Sequence, residues 1–338
     1  MTRFFVRTYA FPDEVEAAAT RAEADGWDGL LFQDSQNLTP DITVAMTLAL
    51  RATEHLVVGT AVTNLVTRHP AVVASTFATL QHLSGGRAML GVARGDTALL
   101  LLGEHPPGTE RFGQLLDEVR TYLAGGTVHF DDRESRIVWL PDEGVPAVPV
   151  NVFASGPRNL ALAATHGDRV TVAVGAEPDQ VRWAVEQVRA ADPHVPVGAL
   201  VVAGVGDDLP ALREYVRGNA SISTHFRRDA TAVLSEADRS VVSEVTRDYD
   251  VYRHATGSSA QATDLPADYL DRFCVVGPPE TCAARLRELV ALGLDHLVVV
   301  GGGRDADPAV RHRSDELFAL EVLPAVRAAV SEGTGPAT

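Results

Sequence analysis

The chain has 338 residues, of which 46% are hydrophobic and 22% charged, and its formal net charge is -16. The acidic balance disfavours a nucleic-acid-binding protein, which needs a basic face. No apolar run approaches the roughly 20 residues that a membrane-spanning helix requires. The N-terminal segment also lacks the apolar stretch and cleavage site of a signal peptide, so we expect a cytoplasmic protein that does not bind membranes.

The sequence contains no lysine, so all 29 of its basic side chains are arginines. A lysine Schiff base and a P-loop lysine are therefore excluded, and any phosphate would be held by arginine, hydroxyls or backbone N–H groups. The two cysteines, Cys274 and Cys282, lack the spacing of a disulfide framework or a thiolate zinc site. No histidine or carboxylate pattern predicts a metal site.

Short apolar runs alternate with amphipathic segments along the chain. This pattern predicts strands over 3–8, 29–33, 56–62, 88–92, 148–153, 170–174, 197–203 and 296–300. It predicts helices over 14–25, 41–52, 70–83, 111–124, 158–165, 179–190, 279–292 and 315–330. Eight apolar strands in repeated strand–helix order favour an α/β fold of the (β/α)8 TIM-barrel type. A doubly wound open sheet is the alternative, because periodicity alone does not prove closure.

We expect one domain over 1–330 with two insertions and a disordered tail over 331–338. The first insertion, at about 127–147, contains two adjacent aspartates and two prolines, and it is typical of a surface segment with a hairpin. The second, at about 204–272, is rich in His, Tyr, Arg and Ser. Loops of that length are usually functional lids or disordered.

Polar residues follow two of the early predicted strands, and parallel barrels carry their chemistry at the C-terminal ends of strands. Asp34 follows the second strand, where it either caps the next helix or faces the barrel mouth. Arg94 and Asp96 follow the fourth strand. They form either a local ion pair or an arginine fork for a phosphate beside a carboxylate for the reacting group.

A third polar segment, Ser155, Gly156 and Pro157, follows the fifth strand and opens a helix. Backbone N–H groups and the positive helix end favour an anion there, although Ser is also an ordinary N-cap. Together with Arg94, this segment is a candidate phosphate clamp. The chain has no Gly-x-Gly-x-x-Gly fingerprint after a strand, so a Rossmann nicotinamide site has no support.

The histidines are scattered rather than clustered. Those beside core elements, such as His69 and His296, are interpreted as structural. His225 and His254 lie in the long second insertion and are weak candidates for substrate contact.

Several motifs in order resemble the luciferase-like monooxygenase superfamily, in its coenzyme F420-dependent, methylenetetrahydromethanopterin-reductase-like branch. They are 60–64 (TAVTN), 67–70 (TRHP), 78–87 (ATLQHLSGGR), 91–96 (GVARGD) and 276–282 (VGPPETC). The resemblance implies a bacterial-luciferase-like barrel with a flavin or deazaflavin cofactor, and often a homodimer. It implies a non-prolyl cis peptide between Ala61 and Val62, against which the middle ring of the cofactor packs. The expected cofactor contacts are Ala61, Val62, Thr63, Asn64, Arg94, Gly95, Thr97, Ser155, Gly156 and Pro157.

Family members that use the deazaflavin often have carboxylates at the positions of Asp34 and Asp96, which are the expected catalytic residues. Two departures argue against a phosphosugar substrate: Ser35 stands where the sugar-phosphate dehydrogenases of the family carry histidine, and the chain lacks their lysines. Ala93 replaces the reactive cysteine of bacterial luciferases, so luminescence is not implied.

The leading hypothesis is an oxidoreductase that transfers hydride between coenzyme F420 and a small organic substrate at the C-terminal mouth of the barrel. Asp96, rather than Asp34, is the favoured group for proton transfer. An FMN-dependent luciferase-like monooxygenase is one alternative, and a non-catalytic flavin-binding barrel is another.

Overall fold

The computed structural model describes residues 2–140 and 144–333. Its strands are β1 (Arg3–Thr8), β2 (Gly29–Phe32), β3 (Val57–Thr60), β4 (Ala88–Val92), β5 (Val128–Phe130), β6 (Arg133–Ser135), β7 (Val150–Ala154), β8 (Arg169–Val172), β9 (Val197–Val205), β10 (Val275–Gly277) and β11 (His296–Val300). The helices of the first half are α1 (Pro12–Ala24), α2 (Ile42–Ala52), α3 (Pro70–Ser84), α4 (Thr97–Leu100), α5 (Thr109–Leu123) and α6 (Pro157–His166).

The helices of the second half are α7 (Pro178–Ala191), α8 (Leu209–Phe226), α9 (Glu236–Arg247), α10 (Ala260–Thr263), α11 (Ala267–Phe273), α12 (Pro279–Val290), α13 (Pro308–Leu317) and α14 (Leu323–Gly333). Two 3-10 segments, Arg227–Val233 and Val251–Arg253, and a π-helical turn, Phe318–Val322, complete them. Among the helices of the described residues, none is long and apolar enough to cross a bilayer.

The eight predicted barrel strands are all present and hydrogen-bonded in the order β1-β2-β3-β4-β7-β8-β9-β11, with β11 returning to β1. The pairs are parallel, with Gly29 opposite Val57 and Leu90 opposite Val150. The sheet therefore closes into a (β/α)8 TIM barrel, which confirms the predicted fold class and excludes the open sheet. One additional strand, β10, pairs in parallel with the last three residues of β9, which is longer than predicted.

A close approach between β3 and β4 requires the glycine at position 91. A Cβ atom there would lie 1.7 Å from the carbonyl oxygen of Thr60. The Thr60 hydroxyl donates to the Gly91 carbonyl at 2.6 Å, and the Gly91 N–H donates to the same hydroxyl at 3.0 Å. The Thr63 N–H also donates to the Gly91 carbonyl at 3.0 Å, so this glycine fixes the path of the chain beyond β3.

Contacts within the chain divide it into two compact units. One comprises residues 6–153 and 162–170, and large buried side chains in it include Phe32, Met46 and Tyr122. The other comprises residues 2–5, 154–161 and 171–333 of the described chain. The core of this second unit includes a cluster around Tyr215, Val216, Tyr269, Leu270 and Phe273. The expectation of a single domain over 1–330 stays a prediction.

Most of the predicted insertion over 204–272 is helical rather than loop. Its role as a lid stays a prediction. Helix α8 buries Leu212, Val216 and Ala220 at four-residue spacing. Polar residues between them hide this periodicity in the sequence, and some of them have partners that are distant in the chain. The Asn219 amide, for example, donates to the carbonyls of Gly301 and Gly302 at 2.9 and 2.8 Å.

The first insertion contains the predicted hairpin, formed by β5 and β6, and residues 141–143 lie outside the described chain. Its apolar run over 137–140 forms no strand, and Val138 is 79% exposed. The predicted C-terminal helix is longer than expected and is divided by the π-helical turn. Helix α14 continues to Gly333, and the remaining residues of the predicted tail, 334–338, lie outside the described chain.

Candidate active site

A buried ion pair organises the carboxyl end of β2. The Asp34 side chain is 1% exposed, and its Oδ2 atom accepts from the Thr63 hydroxyl at 2.6 Å and from Arg68 Nη1 at 2.5 Å. Arg68 Nη2 donates to Asp41 Oδ2 at 2.8 Å, and Asp41 caps α2 through the Thr43 N–H. The helix cap is thus Asp41, and the capping alternative for Asp34 is wrong.

The opposite charges in this network stabilise the ionised forms of Arg68 and Asp41. Burial lowers the pKa of Arg68, but the Asp34 and Asp41 carboxylates outweigh burial and raise that pKa above its ordinary value. Burial raises the pKa of Asp41, but hydrogen bonds from Thr43 and Arg68 outweigh it and lower that pKa overall. Arg68 and Asp41 are therefore both charged near neutral pH.

Three consecutive residues at the end of β2 carry buried polar atoms. Gln33 Oε1, Asp34 Oδ1 and Ser35 Oγ are all buried, and within the described residues none of them has a hydrogen-bond partner. A buried polar atom without a partner costs about 1–3 kcal/mol. Such atoms at the carboxyl end of a barrel strand fit a polar ligand that supplies the missing partners.

The chain beyond β3 carries the predicted cis peptide bond between Ala61 and Val62. The Ala61 N–H donates to the Phe32 carbonyl at 2.8 Å, and the Asp34 N–H donates to the Val62 carbonyl at 3.2 Å. These bonds hold the bend against the end of β2.

Thr63 and Asn64 have structural roles that the sequence did not indicate. The Thr63 hydroxyl donates to Asp34, as described above. The Asn64 Oδ1 atom accepts from the N–H groups of Val66 and Thr67 at 3.0 and 2.8 Å. This turn leads directly into Arg68, for which the sequence motif predicted no role.

The segment after β4 turns sharply at Gly95, whose φ angle is +87°. A Cβ atom at this position would lie 2.8 Å from Leu99. Arg94 and Asp96 are half-buried, and Thr97 is buried at the start of the short helix α4. Asp96 precedes this helix, but its side chain makes no capping hydrogen bond to it. The Asp96 carboxylate therefore does not cap α4.

In the second compact unit, Ser155, Gly156 and Pro157 lead into α6 as predicted. The Ser155 hydroxyl donates to the Phe226 carbonyl at 2.9 Å, so its proton is used within the chain. A Cβ atom on Gly156 would lie 2.8 Å from Asp229 Cβ, so this glycine permits close packing against the 3-10 segment Arg227–Val233. The role of these three residues as phosphate ligands stays a prediction.

His225 and His254 belong to a buried aromatic cluster, being 6% and 4% exposed. The His225 ring stacks on Tyr249 with 4.1 Å between ring centroids, and its Nε2 atom lies 2.5 Å from Arg228 Nη1. The Tyr249 hydroxyl lies 2.9 Å from His254 Nδ1. Sequence analysis missed Tyr249, and the substrate role of the two histidines stays a prediction.

Other predicted structural residues behave as expected. His69 caps α3 by accepting from the Ala71 N–H, and the buried His296 ring lies 2.7 Å from the Thr171 hydroxyl. Both cysteines are fully buried, which raises the pKa of Cys274 and raises that of Cys282 to about 12. In the described part of the chain, no group of three or more His, Cys, Asp or Glu side chains could hold a metal ion.

Comparisons with known proteins give a consistent result. The pattern of the family described as luciferase-like monooxygenase matches residues 5–296. A 5,10-methylenetetrahydromethanopterin reductase from Methanolobus tindarius is 25% identical over 296 residues, covering 83% of this chain and 87% of that protein. An F420-dependent glucose-6-phosphate dehydrogenase from Mycobacterium avium (strain 104) is 28% identical over 338 residues, or 94% of each chain.

Among solved structures, a coenzyme F420-dependent tetrahydromethanopterin reductase from Methanopyrus kandleri is similar, with a TM-score of 0.75 and 21% identity. The match covers 96% of this chain and 99% of that chain. At this level of identity, the likeness supports the barrel fold.

The Arg68 network predicts that replacing Arg68 and replacing Asp34 have strongly non-additive effects on the free energy of unfolding. Arg68→Met should lower the free energy of unfolding by about 3 kcal/mol, because it leaves the Asp34 carboxylate buried without a counterion. Adding Asp34→Asn should restore at least half of that loss, because the uncompensated charge is removed. Urea denaturation of the two single variants and the double variant measures both quantities.

Arg182→Met is the matched control. Arg182 forms an exposed ion pair with Asp179, so its replacement should change stability by less than about 0.5 kcal/mol. Strictly additive effects of Arg68→Met and Asp34→Asn would contradict the proposed pairing.

Proposed function

Because this chain belongs to the luciferase-like monooxygenase family and is an enzyme of the oxidoreductase kind, we propose that it transfers hydride between coenzyme F420 and a small organic substrate. The observation that carries this choice of cofactor is the match to an F420-dependent dehydrogenase over 94% of the chain. F420 would carry the hydride, and the protein would supply orientation and electrostatics.

The residues at the ends of β2 and β4 suit such a cofactor. Gln33, Asp34 and Ser35 offer buried polar atoms that need partners, as the polar edge of a deazaflavin ring would provide. Arg94 offers a guanidinium fork for a phosphate. We propose that the surface behind the ring is formed by Ala61, Val62, Thr63 and Asn64. Gly95 and Thr97 would contact the cofactor from the turn after β4.

In the second compact unit, we propose that the α6 N-terminus contributes to phosphate binding through the backbone N–H groups of Ser155 and Gly156. Proline has no N–H, so Pro157 would act only by starting the helix with a favourable φ angle.

Asp96 is the better candidate for proton transfer. In Asp34, one carboxylate oxygen accepts from both Thr63 and Arg68, which suits a fixed hydrogen-bond acceptor. Asp96 lies on a half-buried turn beside the proposed cofactor residues. A carboxyl group in that position can move a proton during hydride exchange.

The substrate is proposed only as a small organic molecule. The absence of lysine and the presence of Ser35 argue against carrying glucose 6-phosphate over from the dehydrogenase relatives. The second candidate function is an FMN-dependent monooxygenase, which the family description favours. The non-catalytic alternative is set aside, because the relatives named above are enzymes.

We also propose that the chain forms a homodimer through α2 and α3. An open groove of about 540 Å³ runs along these helices, and it is lined by Thr, Ser, Ala, Val and Leu side chains. Val44 and Val72 in this groove are 52% and 53% exposed. None of the described residues that line the groove is charged, and contiguous exposed apolar surface marks sites of protein–protein contact. We therefore propose that a second copy covers it.

The cofactor choice is tested by titrating the protein with F420 and with FMN and following binding by fluorescence. We expect F420 to bind at least tenfold more tightly. Arg94→Ala should weaken F420 binding by about 1.5–3 kcal/mol, because a charged hydrogen bond to the phosphate is lost. Arg182→Ala, an exposed arginine elsewhere, should not change the affinity. Tighter binding of FMN would instead support the monooxygenase.

The proton-transfer role is tested with Asp96→Asn, which preserves shape and removes the acidic group. This variant should bind F420 nearly as well as the wild type and lower turnover by about 10²-fold or more. Steady-state kinetics with the best substrate from a panel of small alcohols and carbonyl compounds measures the effect. Wild-type turnover by the cofactor-loaded variant would refute the role, and Asp34→Asn would show whether that residue carries it instead.

The dimer is tested by light scattering after size-exclusion chromatography. The wild type should have about twice the chain mass of 36.0 kDa. Val72→Asp should shift it toward the monomer, because a carboxylate would be buried without a partner. Leu320→Asp changes a residue that is 68% exposed outside the groove and should leave the mass unchanged. A monomeric wild type would rule the dimer out.

A further inference from the structure

The largest fully buried side chain in the described residues is an arginine. Arg227 is 1% exposed, although its chain neighbours Phe226 and Arg228 are half-buried and Asp229 is exposed. The guanidinium makes a hydrogen bond from Nη1 to the Tyr269 hydroxyl at 3.1 Å and lies over the Phe273 ring, 5.2 Å from its centroid. It is therefore held by the face of one aromatic ring and the hydroxyl of another.

One edge of this guanidinium lacks partners. Within the described residues, Arg227 Nε and Nη2 are buried and have no hydrogen-bond partner. Buried arginines are normally paired, because an uncompensated buried charge is strongly unfavourable. Tyr269 cannot neutralise the charge, because burial raises the pKa of its hydroxyl despite the opposing effect of Arg227.

A second arginine in the same compact unit shows what such an edge binds. Arg213 donates from Nε to Asp271 Oδ1 at 2.9 Å and from Nη2 to Asp271 Oδ2 at 2.6 Å. This is the bidentate geometry in which two parallel N–H groups fit the two oxygens of a carboxylate or phosphate. In Arg227 the same pair of nitrogen atoms is available.

Nearby side chains fix the orientation of the Arg227 edge. The Tyr269 hydroxyl lies 3.0 Å from the Thr224 hydroxyl, and the Tyr269 and Phe273 rings are stacked. Because Tyr269 engages Nη1 and Phe273 covers the guanidinium, the Nε and Nη2 atoms are left for a ligand.

We propose that Arg227 is an oxyanion site, which binds a carboxylate or phosphate group of a small ligand through Nε and Nη2. The anionic group belongs either to the substrate or to the cofactor. Binding at Arg227 is detected with phosphate alone and needs no turnover. Its failure in the test below is therefore distinguishable from failure of the proposed function.

The test measures thermal unfolding of the full-length protein in inorganic phosphate and in sodium chloride of equal ionic strength. Phosphate at about 50 mM should raise the wild-type melting temperature by about 2–3 °C, as expected for millimolar binding to the native state. Arg227→Met should lose that response, and because it removes a buried charge it should not be less stable than the wild type in chloride. Arg213→Met is the matched control and should keep the response, because Asp271 already occupies that edge.

The Arg94→Ala variant distinguishes phosphate binding at Arg227 from phosphate binding at the proposed cofactor-phosphate site. We expect Arg94→Ala to retain most of the phosphate response. A wild type with no response to phosphate would overturn the oxyanion site. An equal response in Arg227→Met would do the same, whatever the result for Arg94→Ala.

Titration of Arg227→Met with F420 then identifies the source of the anion. A loss of affinity of tenfold or more assigns the oxyanion to the cofactor. An affinity within threefold of the wild type assigns it to the substrate. Both results support the site, provided that the phosphate response depends on Arg227.

Discussion

The ion pair between Arg68 and Asp34 determines much of the candidate site. One guanidinium joins the carboxyl end of β2, the turn after β3 and the first turn of α2, because it contacts both Asp34 and Asp41. Asp34 is held with one oxygen occupied and the other without a partner in the described chain. A barrel can thus keep a carboxylate buried at a strand end and still present an acceptor to a ligand.

Arginine performs several distinct tasks in a chain that has no lysine. Arg68 bridges two carboxylates, Arg87 donates to the carbonyls of Leu50 and Leu56, and Arg213 holds Asp271 in bidentate fashion. Each uses the fixed fork of donors that an ammonium group lacks. Arg227 differs from these arginines. Its Nε and Nη2 atoms form the same pair of donors, but they have no acceptor among the described residues.

The barrel was predictable because strands that are buried on both faces appear in the sequence as short apolar runs. β4 and β11 are examples of such runs. Helix α8 was not predictable in this way, because Ser, Thr and Asn interrupt its apolar face. Asp34 and Asp96 could be selected by their positions after strands. Arg68 and Arg227 could not, because their importance depends on partners that are 34 and 42 residues away in the sequence.

The burial of both cysteines has a practical consequence for spectroscopy. The sequence offers no lysine amine, and Cys274 and Cys282 are inaccessible to thiol reagents in the folded protein. A single cysteine introduced on the surface would therefore carry a maleimide dye or spin label alone, without prior removal of native residues. Distances and local motions around this barrel can then be measured in an otherwise unaltered chain.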